Sequence, residues 1–180
     1  MEENIEELKA RAEEGDAEAL FELGFRYRFG QGVPEDKKIA AGYIKQASDL
    51  GDLEAMDWMG NFYCCGTGVD VDFAKAAEYF LPVAEAGSPL AQGQLGKIYM
   101  KGLGGEQDYE KAFYWLRKAC DNEITHKVLT EKGTAANPLY IGCFWDLGYL
   151  YIKGWGVEKD WDEVMRIYDQ IKEYGFETDS

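Results

Sequence analysis

The sequence has few of the side chains on which most metal sites and nucleophilic active sites depend. It contains a single histidine, His126, and four cysteines that form no C-x-x-C pair. A zinc site needs several such ligands at close spacing, and histidine-assisted catalysis needs a histidine beside its nucleophile. Carboxylates are plentiful, but acids are ordinary residues of a solvated helix surface, and spacing singles out no pair. The sequence therefore predicts no catalytic residue, no metal site and no cofactor.

Basic residues are also scarce, since 19 lysines and arginines stand against 34 acids and the formal net charge is −15. Residues 1–18 carry eight acids against two bases, and residues 158–180 carry eight against three. Most of the negative charge therefore belongs to the two ends, as expected of end units whose outer faces no neighbour covers. No basic stripe interrupts this charge, which argues against binding to nucleic acid or to an anionic membrane.

Long hydrophobic runs are missing too. The most apolar stretch, residues 135–152, contains Asp146 and two glycines, and it fits a helix of a folded domain better than a membrane span. The N-terminus has no segment typical of a secretory signal, so we expect a cytoplasmic protein, provided that no leader precedes this sequence. With 46% hydrophobic residues, the chain has enough apolar material for one core, and we expect a single domain over 1–180.

Four sequence markers recur along the chain with one shared spacing. A Leu-Gly or Met-Gly pair, a tyrosine, a Gly-x-Gly and an aspartate each return after 36, 36 and 52 residues. The markers are Leu23-Gly24, Met59-Gly60, Leu95-Gly96 and Leu147-Gly148; Tyr27, Tyr63, Tyr99 and Tyr151; Gly30/Gly32, Gly66/Gly68, Gly102/Gly104 and Gly154/Gly156; Asp36, Asp72, Asp108 and Asp160. This shared spacing indicates four repeats, and the longer last step indicates an insertion before the fourth.

Each marker has a structural role in a pair of helices. The leucine and the tyrosine fall on one face of the first helix, and the glycine beside the leucine lets the second helix approach closely. The Gly-x-Gly ends the first helix, because glycine accepts the positive φ of a C-terminal cap, and the aspartate caps the second helix. We therefore predict an all-α fold, a right-handed α-α superhelix of four helix-pair repeats with an N-terminal capping helix.

These caps also predict where the elements begin and end. The repeats are expected at about 16–51, 52–87, 88–120 and 137–175, with the insertion at about 121–136. The expected helices are a leading one near 3–13, followed by the pairs 16–30 with 36–49, 52–65 with 72–86, 88–101 with 108–120, and 138–153 with 160–173.

The combination of Gly-Asp-x-x-Ala, Leu-Gly-x-x-Tyr, Gly-x-Gly-Val, Asp and Ala-Ala resembles the Sel-1-like repeat, a longer-looped relative of the tetratricopeptide repeat. The resemblance covers nearly the whole chain, although Gly105 stands where the other three repeats have valine. Some secreted members of this family carry cysteines at a regular spacing within the repeat, and some are associated with β-lactam-like compounds. The cysteines here do not recur with the repeat, so we expect reduced thiols.

The register of the repeats predicts the environment of each cysteine. Cys120 and Cys143 align with alanine or serine in the other repeats, which indicates small residues at tight helix contacts. Cys64 and Cys65 lie near the end of a first helix, where one of the two is expected to be accessible.

The first helices of helix-pair solenoids line the concave face. If the Leu-Gly pair takes the position it has in the related tetratricopeptide repeat, the side chains two before, two after and five after the leucine face this groove. The candidate partner-binding residues are Phe21, Phe25, Arg28, Asp57, Asn61, Lys97, Met100, Trp145 and Tyr149, with Cys64, Gly93 and Ile152 in the same register. If the superhelix turns differently, Phe21, Phe25 and Trp145 belong to the core instead. The insertion either folds over the groove or forms a surface loop.

The preferred interpretation is a non-catalytic scaffold or adaptor that binds another polypeptide, neutral to basic and extended or helical, in the concave groove. The alternative is a bacterial envelope enzyme or binder that acts on β-lactam-like or cell-wall substrates. A third possibility is a self-assembling structural unit, and the sequence leaves the oligomeric state open.

Overall fold

The computed structural model of the protein describes residues 4–176, and every regular element within them is helical. The helices are α1 (Ile5–Glu13), α2 (Ala17–Phe29), α3 (Lys37–Asp49), α4 (Leu53–Cys65), α5 (Phe73–Glu85), α6 (Pro89–Lys101), α7 (Tyr109–Cys120), α8 (Glu123–Lys132), α9 (Pro138–Lys153) and α10 (Trp161–Glu173). The predicted start of the leading helix at residue 3 lies outside the described residues. Every other predicted helix boundary falls within one residue of the observed one.

The predicted caps account for this agreement. Asp36 begins α3 by accepting hydrogen bonds from the backbone N–H groups of Lys38 and Ile39, both at 2.9 Å. Asp72, Asp108 and Asp160 cap the corresponding helices in the same way. The first glycine of each Gly-x-Gly ends the preceding helix in the left-handed conformation, with φ between 62° and 70°. Both roles assigned from the sequence are therefore confirmed.

Backbone contacts divide the chain into two compact units, Met1–Val83 and Ala84–Ser180. In the first unit, α1 packs on α2, α2 on α3, and α3 on α4. The core around α4 contains Leu20, Ala41, Ile44, Ala47, Ala55, Met59 and Phe62. A smaller cluster of Leu8, Ala19 and Leu23 joins α1 to α2, so α1 covers one side of the first repeat, as a capping helix does.

In the second unit, α6 and α7 form a pair, and α9 packs against both of them. Helix α10 then packs against α9. The core of this unit includes Leu116, Phe144, Leu147, Leu150, Ile167 and Ile171. The first helix of the fourth repeat, α9, therefore packs on the third helix pair, α6 and α7, although the 16-residue insertion lies between them in sequence.

The insertion forms a packed helix, so its interpretation as a surface loop is wrong. Asn122 caps the start of α8 through its side-chain oxygen, while its amide nitrogen donates to the carbonyl oxygen of Gly87 at 2.9 Å. Thr125 and Leu129 are fully buried, and α8 contacts both α7 and α9. A cap at its start and two buried side chains hold this segment as a helix against the unit.

The glycine beside the leucine has its predicted role in three repeats but not in the fourth. A Cβ added to Gly24, Gly60 or Gly96 would lie 2.5 to 2.6 Å from Ile44, Phe80 or Leu116 of the second helix. At Gly148 the nearest atom, Cγ2 of Ile167, would be 3.7 Å away, which is an ordinary contact. Helices α9 and α10 therefore leave more room at this level than the other pairs do.

Within residues 4–176, no helix combines the length and the apolar character needed to cross a membrane.

Candidate functional site

The candidates in the first repeat surround a tryptophan of the second repeat. The Trp58 ring of α4 lies edge-on to Phe21, with ring centroids 6.0 Å apart, and to Phe25, at 5.8 Å. Phe29 completes the cluster, with its ring 6.0 Å from that of Trp58. Phe21 and Phe25 are half-buried, so they have the packing role that the sequence left open as an alternative. Whether they also contact a partner stays a prediction.

The polar candidates of the first unit are held by neighbours on the same or an adjacent segment. Nη1 of Arg28 lies 3.8 Å from a carboxylate oxygen of Glu35. The Asn61 amide donates to the backbone carbonyl oxygen of Asp57 at 2.8 Å and to its carboxylate at 3.2 Å. Burial raises the pKa of Asp57 and Glu54 adds to this, while the hydrogen bond from Asn61 opposes it. Asp57 and Asn61 therefore form a partly buried polar pair on α4, while Arg28 lies near Glu35 in the preceding repeat.

In the second unit, Lys97 is paired with an acid that was not among the candidates. Nζ of Lys97 lies 3.8 Å from Oδ2 of Asp146, a buried atom with no hydrogen bond among the described residues. Burial raises the pKa of Asp146, and the charges of Lys97 and Lys101 oppose that shift. Lys97 therefore joins α6 to α9 electrostatically. Met100 packs partly buried against the core of the same unit.

Trp145 and Tyr149 lie over an apolar groove between α9 and α10. The groove has a volume of about 140 Å³ and is lined by Phe144, Trp145, Gly148, Tyr149, Ile152, Ile167, Tyr168 and Ile171. Trp145 lies edge-on to Tyr168, with ring centroids 5.7 Å apart, and Tyr149 is similarly placed against Trp155 at 5.5 Å. Both candidates are exposed, so this groove is a surface onto which an apolar side chain can bind.

The structure groups the candidates by unit and adds residues that the sequence analysis missed. Trp58 joins Phe21 and Phe25, and Asp146 joins Lys97. Both missed residues stand one position before the marker leucine or methionine, where the other two repeats have Glu22 and Gln94. This position varies between repeats as strongly as the chosen ones do. The criterion of variation at fixed register would have found it.

The thiols have the environments predicted for them. Cys120 and Cys143 are buried, Cys65 is exposed, and none of the four is paired in a disulfide. Burial raises the pKa of Cys64 to about 11 and that of Cys120 well above its usual range. A thiol with a raised pKa is a poor nucleophile at neutral pH. Among the described residues, no group of three histidine, cysteine or acidic side chains is placed to hold a metal ion.

Comparison with known proteins identifies the repeat. The family model for the Sel1 repeat matches residues 17–52, 53–88, 89–123 and 145–163. A solved structure with similar architecture is that of a protective antigen present in uropathogenic Escherichia coli strains, which displays an SLR fold. That antigen is 28% identical over 94% of this chain, with a TM-score of 0.63, and the match covers 41% of its own length. This chain therefore spans about two fifths of the antigen.

A second solved structure is that of a Sel1 repeat protein from Oxalobacter formigenes. It is 24% identical over 96% of this chain and 71% of its own, with a TM-score of 0.68, and this likeness concerns the fold alone. No curated protein gives a significant match. The family match and the two structures confirm the predicted fold class, an all-α repeat of Sel-1-like helix pairs.

Proposed function

Because the chain belongs to the Sel1 repeat family, whose members are generally protein-interaction scaffolds, we propose that it is a non-catalytic adaptor that binds another polypeptide through its first helices. The observation that carries this proposal is the exposed aromatic pair Trp145 and Tyr149 above the groove on α9. A few side chains contribute most of the binding energy at protein interfaces, and tryptophan and tyrosine are enriched among them. The remaining candidates are proposed to supply further polar and apolar contacts, each within its own unit: Phe21, Phe25, Arg28, Asp57 and Asn61 in the first, and Lys97 and Met100 in the second.

The charge of the chain supports a neutral to basic partner. Acids outnumber bases at both ends of the sequence, and exposed acids on α10 include Asp162, Asp169 and Glu173. An acidic surface attracts basic segments and repels nucleic acid and anionic membranes. Four unpaired thiols favour a reducing compartment, which agrees with the proposed cytoplasmic location.

The test is affinity capture from a cytosolic lysate with the intact protein and matched variants, read by mass spectrometry. The variant Arg28→Ala/Asn61→Ala/Tyr149→Ala removes a candidate side chain from three of the four first helices. Tyr114→Ala is the control, because Tyr114 is an exposed aromatic on α7 that lies outside the candidate register. We expect a polypeptide that the intact protein and the control retain and that the triple variant loses.

Equal retention by all three proteins, or no retained polypeptide, would contradict the proposal. Selective retention of cell-wall fragments or β-lactam compounds would instead favour the envelope interpretation. A mass that rises with protein concentration in sedimentation analysis would favour self-assembly.

A further inference from the structure

Within each unit, one helix pair carries a covering helix on the equivalent face. In the first unit, α4 covers α2 and α3, and it buries Ala55, Met59 and Phe62 in their shared core. In the second unit, α9 covers α6 and α7, and the residues in the same register, Cys143, Leu147 and Leu150, are buried there. Each covering helix therefore presents a small residue, then large apolar residues four and seven positions later.

The covered face extends to the start of the second helix in each pair. A Cβ on Gly68 would clash with the backbone carbonyl of Lys37 at the start of α3. A Cβ on Gly156 would clash with the carbonyl of Tyr109 at the start of α7 in the same way. The Gly-x-Gly turn after each covering helix thus closes the face at this end, which explains the second glycine of that marker.

The pair α9 and α10 presents this face with no helix of the described residues over it. At the register of Ala41 and Ile44, which are buried in the first repeat, this pair has Met165 and Tyr168. Met165 is 57% exposed, and Trp161, at the register of Lys37, is 62% exposed. Trp145 and Tyr149, at the register of Phe21 and Phe25, are 37% and 44% exposed. Trp145, Tyr149 and Met165 therefore lie on a face that α4 covers in the pair α2–α3. Trp161 borders this face, at a register where the turn at Gly68 closes over the backbone of Lys37 but leaves its side chain exposed.

We infer that this face, which includes the groove between α9 and α10, binds an amphipathic helix of a second polypeptide. The bound helix lies on α9 and α10 as α4 lies on α2 and α3. The bound helix carries a small residue at position i, an aromatic residue at i+3, and large apolar residues at i+4 and i+7. This is the spacing of Ala55, Trp58, Met59 and Phe62 in α4. The inference rests on the proposed scaffold function, and it adds the place of binding and the form of the partner.

The residue at i+3 follows from what the receiving helix offers. Trp58 of α4 meets the aromatic residues Phe21 and Phe25, whereas Asp146 of α9 meets Lys97. The residues of α9 in this register are Trp145 and Tyr149, which match the aromatic case. An aromatic ring at i+3 can pack edge-on against both of them, a favoured geometry for aromatic pairs.

Charge and packing both argue against a second copy of this chain as the bound molecule. Residues 1–18 are as acidic as residues 158–180, so the N-terminal end of one copy and the C-terminal end of another would repel each other. To extend the helix stack, a second copy would have to place its α2 on this face, but α2 already carries α1 against it. A partner helix with basic flanking residues complements Asp162, Asp169 and Glu173 of α10.

The groove is tested with a defined peptide rather than with a lysate. The probe is a helix-stabilised peptide with the sequence of residues 52–69, which keeps the turn at Gly68 that closes over the start of α3; both cysteines are replaced by serine and lysines are added at both ends. Binding is followed through the indole N–H signals of the tryptophans in the full chain. We expect the signals of Trp145 and Trp161 to shift, while those of Trp58 and the buried Trp115 stay in place. A peptide that carries Trp58→Ala and Met59→Asp is the matched control and should give no shift.

Variants of the protein then locate the peptide. Tyr149→Glu and Met165→Glu change exposed side chains of the face, so each should lower the affinity for the peptide by about tenfold or more. Tyr114→Glu introduces the same charge on α7 and should leave the affinity unchanged. No shift at millimolar peptide, a shift centred on Trp58, or equal weakening by all three variants would overturn the inference. Protection of Trp145 and Trp161 in the free protein by another part of its own chain or by a second copy would overturn it as well.

The lysate experiment separates this inference from the proposed function. Capture that depends on Arg28 and Asn61 but not on Tyr149→Glu or Met165→Glu would leave the scaffold function in place and make the groove inference wrong. If nothing is captured, the proposed function fails, while the peptide titration still decides whether the groove accepts a helix.

Discussion

The helix pair α2–α3 of the first unit and the pair α9–α10 of the second share one sequence register but differ in what lies on them. In the first pair, α4 covers Phe21 and Phe25 with Trp58. In the second, Trp145 and Tyr149 stand at the same two positions and are exposed. The register of a repeat therefore fixes where a side chain points. The neighbouring element decides whether that side chain belongs to the core or to a binding surface.

The two covering helices show that equivalent contacts between neighbouring helix pairs can be made by side chains of different chemistry. The aromatic contact of Trp58 in the first unit corresponds to the ion pair of Asp146 with Lys97 in the second. Partly buried ion pairs gain little net free energy, because desolvation offsets much of their attraction. We therefore expect the aromatic contacts of Trp58 to contribute more to stability than the ion pair of Asp146 with Lys97.

The largest expected effect comes from removing the covering tryptophan. Trp58→Ala takes a ring away from four phenylalanines, and the cost should be about 2–4 kcal/mol in the free energy of unfolding. Trp145→Ala is the matched change on the open face, where Tyr168 is the one ring neighbour among residues 4–176, and it should cost about 1 kcal/mol or less. Urea denaturation measures both variants. Equal losses would mean that the two faces do not differ in packing.

Substitution of the glycine beside the marker leucine should change the stability in opposite directions in the pairs α2–α3 and α9–α10. Gly24→Ala places a Cβ 2.5 Å from Ile44, so the helices must separate, at a cost of about 1–3 kcal/mol. Gly148→Ala meets only an ordinary contact with Ile167, and the higher helix propensity of alanine should add about 0.5–1 kcal/mol. Thermal unfolding of both variants makes the comparison. Destabilisation by Gly148→Ala would show that α9 and α10 pack as tightly as α2 and α3.

The sequence was sufficient to predict the fold because each repeat states its own caps, turns and close contacts. Asp36 and Gly30 act through backbone geometry that depends on nearby residues alone, so their roles could be read from one chain. The role of Phe25 could not, because it depends on Trp58, which lies 33 residues further along and on another helix. Helix α8 escaped prediction for a related reason: its buried residues, Thr125 and Leu129, face a site that exists only after α7 and α9 have packed.

The pH dependence of stability distinguishes Asp146, the partly buried acid that pairs with Lys97, from an exposed capping acid. The folded state raises the pKa of Asp146, mainly through burial, so it binds the proton more tightly than the unfolded chain does. Stability is therefore lost as the pH rises above the ordinary carboxyl pKa and through the raised value. Asp146→Asn should consequently gain stability relative to the native protein at pH 7, and the gain should disappear in acid.

Asp108 should behave in the opposite way. Hydrogen bonds from Lys111 lower the pKa of this capping acid, so its contribution is present above the ordinary carboxyl pKa and is lost as the pH falls. Asp108→Asn should be less stable than the native protein at pH 7 and should approach it in acid. Denaturation at several pH values measures both differences, and slopes of the same sign would contradict the assigned environments.

The smallest effect is expected from thiol modification, which reports access without altering the fold. Cys65 is exposed and should react with an aromatic disulfide reagent in the native state, while Cys64, whose pKa is raised to about 11, should react more slowly. Cys120 and Cys143 are buried in the second unit and should react only when it opens. Mass spectrometry of peptides after short exposures assigns each rate. Early modification of Cys143 would show that α9 does not cover its neighbours stably.

The most direct test of the difference between the two faces is oxidative footprinting of the tryptophans, with and without the helical peptide. We predict that Trp145 and Trp161 are oxidised faster than Trp58 in the free protein, and that the peptide slows the oxidation of the first two and leaves that of Trp58 unchanged. If Trp58 is oxidised as fast as Trp145, or if the peptide protects neither Trp145 nor Trp161, then α9 and α10 do not form the open binding face described here.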